Sequence, residues 1–271
     1  MQLGLFTTIT PTEDLGRLCD RIADMGYGSI QAHFAQGCDE QLARKLVRAT
    51  GEAGLSIAAI SGYANPLQPE QAPMGATLVD LADLVELMPL LDTRILVSWS
   101  GTYAGELLGP DHRNQSPAAW DALRRSVEEL SPLLDQVEAI LALEPYQSHT
   151  LNTAARITTF CREMNSPYLG VVLDPPNLLP PDSWGDQEAA LADLCASLAP
   201  FVRLVHLKDM RLQDGKLDLP GPGRGVLNYP AFLTAMNWSD LSAPLIVEHV
   251  TIDQAEQARR FVLAQSRKVA G

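Results

Sequence analysis

Eight short apolar runs alternate with helical patterns along this chain, and that alternation limits the fold more than any other feature. The runs are LGLFTTI (3–9), GSIQAHF (28–34), LSIAAISG (55–62), RILVSWS (94–100), AILALEPY (139–146), LGVVLDPP (169–176), VRLVHLKD (202–209) and PLIVEHV (244–250). Near-continuous Val, Ile and Leu is what a strand covered on both faces needs, as in parallel sheets. Between the runs, helix ends are readable. Thr10-Pro11-Thr12-Glu13 has the form of a capping box with proline at the first helical position; Leu15, Leu18, Ile22 and Met25 then recur at helical spacing up to Gly26. Ser116-Pro117 opens another helix, with Trp120, Leu123, Val127, Leu130 and Leu134 on one face and a kink expected at Pro132. Periodicity predicts further helices over 39–53, 76–91, 151–165, 186–198, 229–237 and 252–267. Eight strand–helix units in 271 residues have the size of an α/β (β/α)8 TIM barrel, read as a single domain over 1–271. A doubly wound open sheet is the rival, but no G-x-G-x-x-G follows the first strand.

Composition narrows the function. Hydrophobic residues make up 46% of the chain, ample for a sizeable core, and no apolar run of about 18 residues occurs, so no membrane partner is expected. The opening MQLGLFTTIT lacks the basic region and cleavage site of a secretory signal and reads as the first strand. Cys19, Cys38, Cys161 and Cys195 are scattered with no C-x-x-C pair, which disfavours a zinc knuckle or disulfide framework and fits a reducing cytoplasm. A net charge of −13 argues against nucleic acid as a partner, because phosphate backbones are held by basic surface.

In such barrels the active site sits at the C-terminal ends of the strands. The later strands carry Glu144 in LALEPY, Asp174 in VVLDPPN, His206 and Lys208 in VHLKD, and Glu248 in LIVEHV there. Side chains alternate along a strand, so if Glu144 points inward Leu143 packs outward, and His206 shares its face with Lys208. Three carboxylates and an imidazole at one mouth repel each other unless a cation joins them. Hard oxygen ligands with one histidine suit one divalent ion, Mn2+ or Mg2+ first, with Co2+ or Zn2+ as alternatives. Singly, each of these groups is as readily a cap, a surface ion pair or a core histidine. On four consecutive strands they read as a site.

The segments LALEPY, VVLDPPNLL, VRLVHLKDM and PLIVEHV resemble those of the xylose-isomerase-like TIM barrels. That superfamily includes sugar-phosphate isomerases and epimerases, hydroxypyruvate isomerase, inosose dehydratase and endonuclease IV. The likeness runs along the whole chain and is specific in its second half. It implies that Glu144, Asp174, His206 and Glu248 bind one metal, and that Glu144 and Glu248 also exchange the substrate proton. It further implies a small sugar or sugar-derived substrate and a homo-oligomer, dimer or tetramer. Two places depart from the pattern. Many of the epimerases have a histidine where this chain has Asn177, and the end of strand two, often a glutamate, here offers Gln31 and His33. Both bear on the substrate and not on the metal.

The chemistry follows from the ligand set. A metal that chelates a carbonyl and the adjacent hydroxyl acidifies the C–H between them. One carboxylate then removes the proton and another returns it, to the neighbouring carbon for isomerisation or to the opposite face for epimerisation. Loss of a β-hydroxyl would make the protein a keto-polyol dehydratase instead. A non-catalytic sugar-binding barrel predicts eroded ligands, whereas all four positions are filled; Asn177 and the altered end of strand two keep that alternative open. An endonuclease-IV-like phosphodiesterase needs many histidines and a basic groove, against five histidines here.

Substrate contacts are expected from Lys208, Asn177, His33 and Arg224. Lys208 has an equal claim to an ion pair with a neighbouring carboxylate. Arg224 lies in LPGPGRGVLNYP (219–230), where it either grips an anion or stands in solvent beside a packing turn. Tyr63, Trp99 and Tyr103 are candidate sugar-stacking walls, and His112-Arg113 could act from a lid. Asp209 and His249, of opposite parity, read as structural, with His249 facing the helices.

Overall fold

The eight apolar runs become the eight strands of a closed parallel barrel. The computed structural model describes residues 1–71, 76–106, 108–237 and 242–269. In chain order the elements are β1 (Gly4–Thr8), α1 (Leu15–Asp24), β2 (Ser29–His33), α2 (Glu40–Glu52), β3 (Ser56–Ser61), α3 (Leu78–Leu87), β4 (Ile95–Trp99), α4 (Pro117–Gln136) and β5 (Ile140–Glu144). Then come α5 (Ala154–Met164), β6 (Leu169–Leu173), the one-turn α6 (Pro175–Leu178), α7 (Gln187–Leu198) and β7 (Val202–Leu207). A small antiparallel hairpin, β8 (Arg211–Gln213) and β9 (Lys216–Asp218), stands outside the barrel. After α8 (Tyr229–Ala235), the last barrel strand β10 (Leu245–Val247) pairs with both β7 and β1, closing the ring, and α9 (Ile252–Val269) follows. No helix among the described residues is long and apolar enough to cross a membrane.

Both faces of the central strands are buried. All five residues of β6 lie in the core, which is why its sequence, LGVVL, shows no polar alternation. Helix ends depart from expectation in one place. Asp14 caps α1 by accepting the Arg17 N–H, while Thr10 to Glu13 form only a turn. Residues 11–14 are exposed, so a helix begun at Pro11 would gain no packing from its first turn; the apolar stripe starts at Leu15 and the cap sits directly before it. Helix α4 continues unbroken through Pro132, and the Ser131 hydroxyl donates to the Val127 carbonyl a turn earlier. Thr77 and Asp80 form a reciprocal capping box at α3.

The chain beyond β7 is tied down by one residue. The Asp209 carboxylate accepts N–H bonds from Met210 (2.9 Å), Gly223 (3.0 Å) and Leu227 (2.9 Å), drawing the 219–228 loop across the barrel end. Gly225 passes so close that a Cβ there would lie 2.2 Å from the Met210 carbonyl. Asp209 is thus structural, as its parity implied.

Candidate metal and substrate site

At the C-terminal end of the barrel, β5 ends on Glu144, Asp174 follows β6, His206 is the penultimate residue of β7, and Glu248 follows β10. Each offers one ligand atom, and these atoms lie within 4.8 Å of one another in a fully buried cluster. His206 Nδ1 is 3.3 Å from Glu248, 3.5 Å from Asp174 and 3.6 Å from Glu144. Lys208 Nζ stands 2.7 Å from both Asp174 and Glu248, and 3.7 Å from Glu144. Of the two roles open to Lys208, the ion pair is the one the geometry contains.

The surroundings orient each ligand. Gln31 Oε1 is 2.9 Å from His206 Nε2. An amide oxygen only accepts, so Nε2 carries the hydrogen and Nδ1 is the nitrogen turned to the carboxylates. Glu144 accepts from Tyr63 Oη (2.8 Å) on one oxygen, and from Tyr146 Oη (2.8 Å) and Asn177 Nδ2 (3.0 Å) on the other. Asp174 is the residue before the one-turn α6, but the Asn177 N–H bonds its backbone carbonyl and no side-chain cap forms. Its carboxylate turns instead to Lys208 and His206.

Electrostatics describe a centre in need of positive charge. Burial works against charging Glu144 and Glu248, yet His206 and Lys208 hold both below the usual carboxylate range. Burial raises Asp174, with Lys208 opposing. Burial would lower His206, but Glu248 and Glu144 outweigh it and lift the imidazole to about 10. Both Asp174 oxygens, His206 Nδ1, Glu248 Oε1 and Lys208 Nζ lack a well-formed hydrogen bond. Unsatisfied buried polar atoms in such number mark a ligand site. With a cation in place of the second imidazole proton, three carboxylates against one ammonium leave −3 + 1 = −2, the charge that one divalent ion cancels. The residues present therefore fit a divalent metal.

A cavity of about 600 Å3 descends to Glu144 and Glu248. Phe6, His33, Tyr63 and Trp99 form a continuous ring wall along it, with successive centroids 5.6, 5.2 and 5.2 Å apart. A neighbouring cavity of about 520 Å3 shares Tyr146 and reaches Asn177. Other expected contacts lie elsewhere. Arg224 is exposed, lines neither cavity, and receives an Arg211 Nη1 hydrogen bond on its carbonyl. Arg113 binds Asp111 and covers the Tyr103 ring at 5.1 Å, away from both cavities. His249 does not face the helices: it lines the mouth of the larger cavity, with φ at +56°. A positive φ takes the chain out of the extended conformation at His249, so alternation no longer governs that side chain.

Tyr146 and Phe6 were not anticipated. Tyr146 lies two residues beyond Glu144, the spacing by which Lys208 follows His206, and the same parity argument would have found it.

Comparison with known proteins agrees with this fold. No curated protein matches the chain. Among solved structures, D-psicose 3-epimerase in the presence of D-fructose superposes with a TM-score of 0.74 at 14% identity, covering 99% of each chain. L-ribulose 3-epimerase gives 0.74 at 17%, over 100% of this chain and 97% of that one. A xylose isomerase-like TIM barrel protein from Mycobacterium smegmatis in complex with magnesium gives 0.71 at 17%, over 94% and 89%. Identities this low establish a shared fold. The sequence itself matches a family model over residues 19–265, from α1 to α9, and this chain belongs to that family, the xylose isomerase-like TIM barrels.

Proposed function

We propose that this protein is a divalent-metal-dependent isomerase or epimerase acting on a sugar or closely related hydroxy-carbonyl compound. One observation carries the reading. Of the four ligand residues, only Glu144 and Glu248 also line the cavity, while Asp174 and His206 lie beneath it. Two carboxylates can therefore reach a substrate and a cation together.

In this reading Glu144, Asp174, His206 and Glu248 hold Mn2+ or Mg2+. The bound ion supplies Lewis acidity that makes the C–H beside a carbonyl removable. Glu144 and Glu248 sit on strands separated by β6 and β7, so they approach a substrate carbon from different sides. One takes the proton and the other returns it. Tyr63, Tyr146 and Asn177 fix the Glu144 carboxylate, and Lys208 fixes Glu248. The activities of the two epimerases and the magnesium bound by the mycobacterial protein support both the reaction class and the metal.

The test is metal content by elemental analysis of protein purified without chelator, with Mn2+ added back, beside proton exchange of ketoses in D2O. About one ion per chain is expected, lost in His206→Ala. Glu144→Gln and Glu248→Gln should keep the fold by circular dichroism and incorporate no deuterium. Full exchange in either variant refutes the assignment.

A further inference from the structure

This inference rests on the reading of Glu144 and Glu248 as the reacting pair and narrows what they act on. We propose that the substrate is an uncharged polyhydroxy ketone or keto-sugar, and that phosphate esters and sugar acids are rejected. Among the described residues, no lysine or arginine lines the cavity above the two glutamates. Lys208 is the nearest ammonium, but it is fully buried beneath the floor and matched to Asp174 and Glu248 at 2.7 Å each. Arg224 stands outside in solvent. Lys216, on the neighbouring cavity, is exposed and shares that wall with Glu106.

An anion entering here would meet one imidazole at the mouth, that of His249, which bonds the Leu219 carbonyl through Nδ1, and no lysine or arginine. The floor holds three carboxylates and one ammonium, and a divalent cation brings it only to neutrality. Desolvating a phosphate or carboxylate without a charged donor is costly, and Glu144 and Glu248 would face it directly.

The wall instead reads hydroxyl groups. His33 Nδ1 lies 3.2 Å from the Ser61 carbonyl. That oxygen only accepts, so Nδ1 carries the hydrogen. Burial keeps the imidazole below its ordinary pKa, opposed in part by this bond. The neutral ring is left with Nε2 as an acceptor on a cavity wall, which takes a hydroxyl proton and repels an anionic oxygen. Thr7, Thr8, Thr251 and Gln254 add neutral donors and acceptors. The rings of Phe6, Tyr63 and Trp99 offer the apolar surface that the C–H face of a sugar needs.

The experiment is isothermal titration of the full Mg2+-loaded chain with a panel of neutral ketopentoses and ketohexoses and the phosphate ester of each. The best neutral ketose should bind at least about tenfold more tightly than its ester, the gap one unmatched charged contact makes. His33→Phe preserves the ring wall and removes the acceptor, so it should weaken the neutral ligand by about tenfold. Thr8→Arg should narrow the gap by strengthening the ester. An ester that binds as well as its parent, or a metal-loaded chain that binds no neutral ketose, overturns the proposal. Metal content and deuterium exchange in the same samples separate the two readings. A chain without metal defeats the reaction class, whereas a loaded chain that exchanges only phosphate esters defeats the substrate class alone.

Discussion

Asp174 stands at the start of α6, yet its carboxylate caps nothing and meets Lys208 Nζ at 2.7 Å instead. An ordinary helix start would have consumed it as a cap. Gln31 acts on the site in the opposite way, from a strand on the far side of the sequence, by holding His206 Nε2 at 2.9 Å so that Nδ1 points to the ligand cluster. Partners of this kind are typically worth about 10- to 100-fold in metal affinity. Gln31→Leu should therefore lower Mn2+ affinity by about that factor in a direct titration while the far-ultraviolet spectrum stays unchanged. An unaltered affinity would show that packing alone orients the ring. The four residues of the buried cluster are legible in the sequence because each stands at a strand end with aliphatic neighbours of opposite parity. Gln31 was visible only as a departure from a family pattern. Its bond to a residue 175 positions away follows from barrel geometry.

At the scale of elements, long amphipathic helices were read to within a few residues and short features were not. The hairpin β8–β9 has three-residue strands, too short for any period to declare itself. Helix α1 starts later than the Thr10 signature predicts, because that signature competes with a better-packed one at Asp14. The loop after β7 depends on Asp209, whose carboxylate serves three backbone donors in positions 210–227. Asp209→Ala would leave those donors without their charged acceptor and should destabilise the chain by about 2–3 kcal/mol, measured by urea unfolding. A change under about 0.5 kcal/mol would mean that water replaces the carboxylate and the loop is held by packing.

Over the whole molecule, closure of the barrel buries three of the four cysteines. Burial pushes the Cys161 thiol from 9.0 to about 11 and that of Cys195 to about 12. The folded chain thus keeps these protons at a pH where the unfolded chain has released them. The unfolded state then binds fewer protons, so stability falls as pH rises above about 9, and the unfolding midpoint in urea should be lower at pH 10 than at pH 8. Iodoacetamide at pH 8 should leave Cys161 and Cys195 unmodified in the folded protein and alkylate all four thiols in urea. Rapid labelling of either buried thiol in the native state would contradict the burial described here.

The sequence by itself determined the architecture, the strand ends where the buried polar cluster forms, and the excess of acid over base. These are local or additive properties: strand parity has a period of two residues, helix faces a period of 3.6, and charge simply sums. The tertiary structure decided which atoms meet. Only ring closure brings Glu248 beside His206, sets Lys208 between two carboxylates, lays Tyr63 on Glu144 and leaves Arg224 in solvent. Register and curvature fix such distances through backbone hydrogen bonds between strands far apart in the chain, and a cavity's lack of cationic lining is a property of that assembled surface alone.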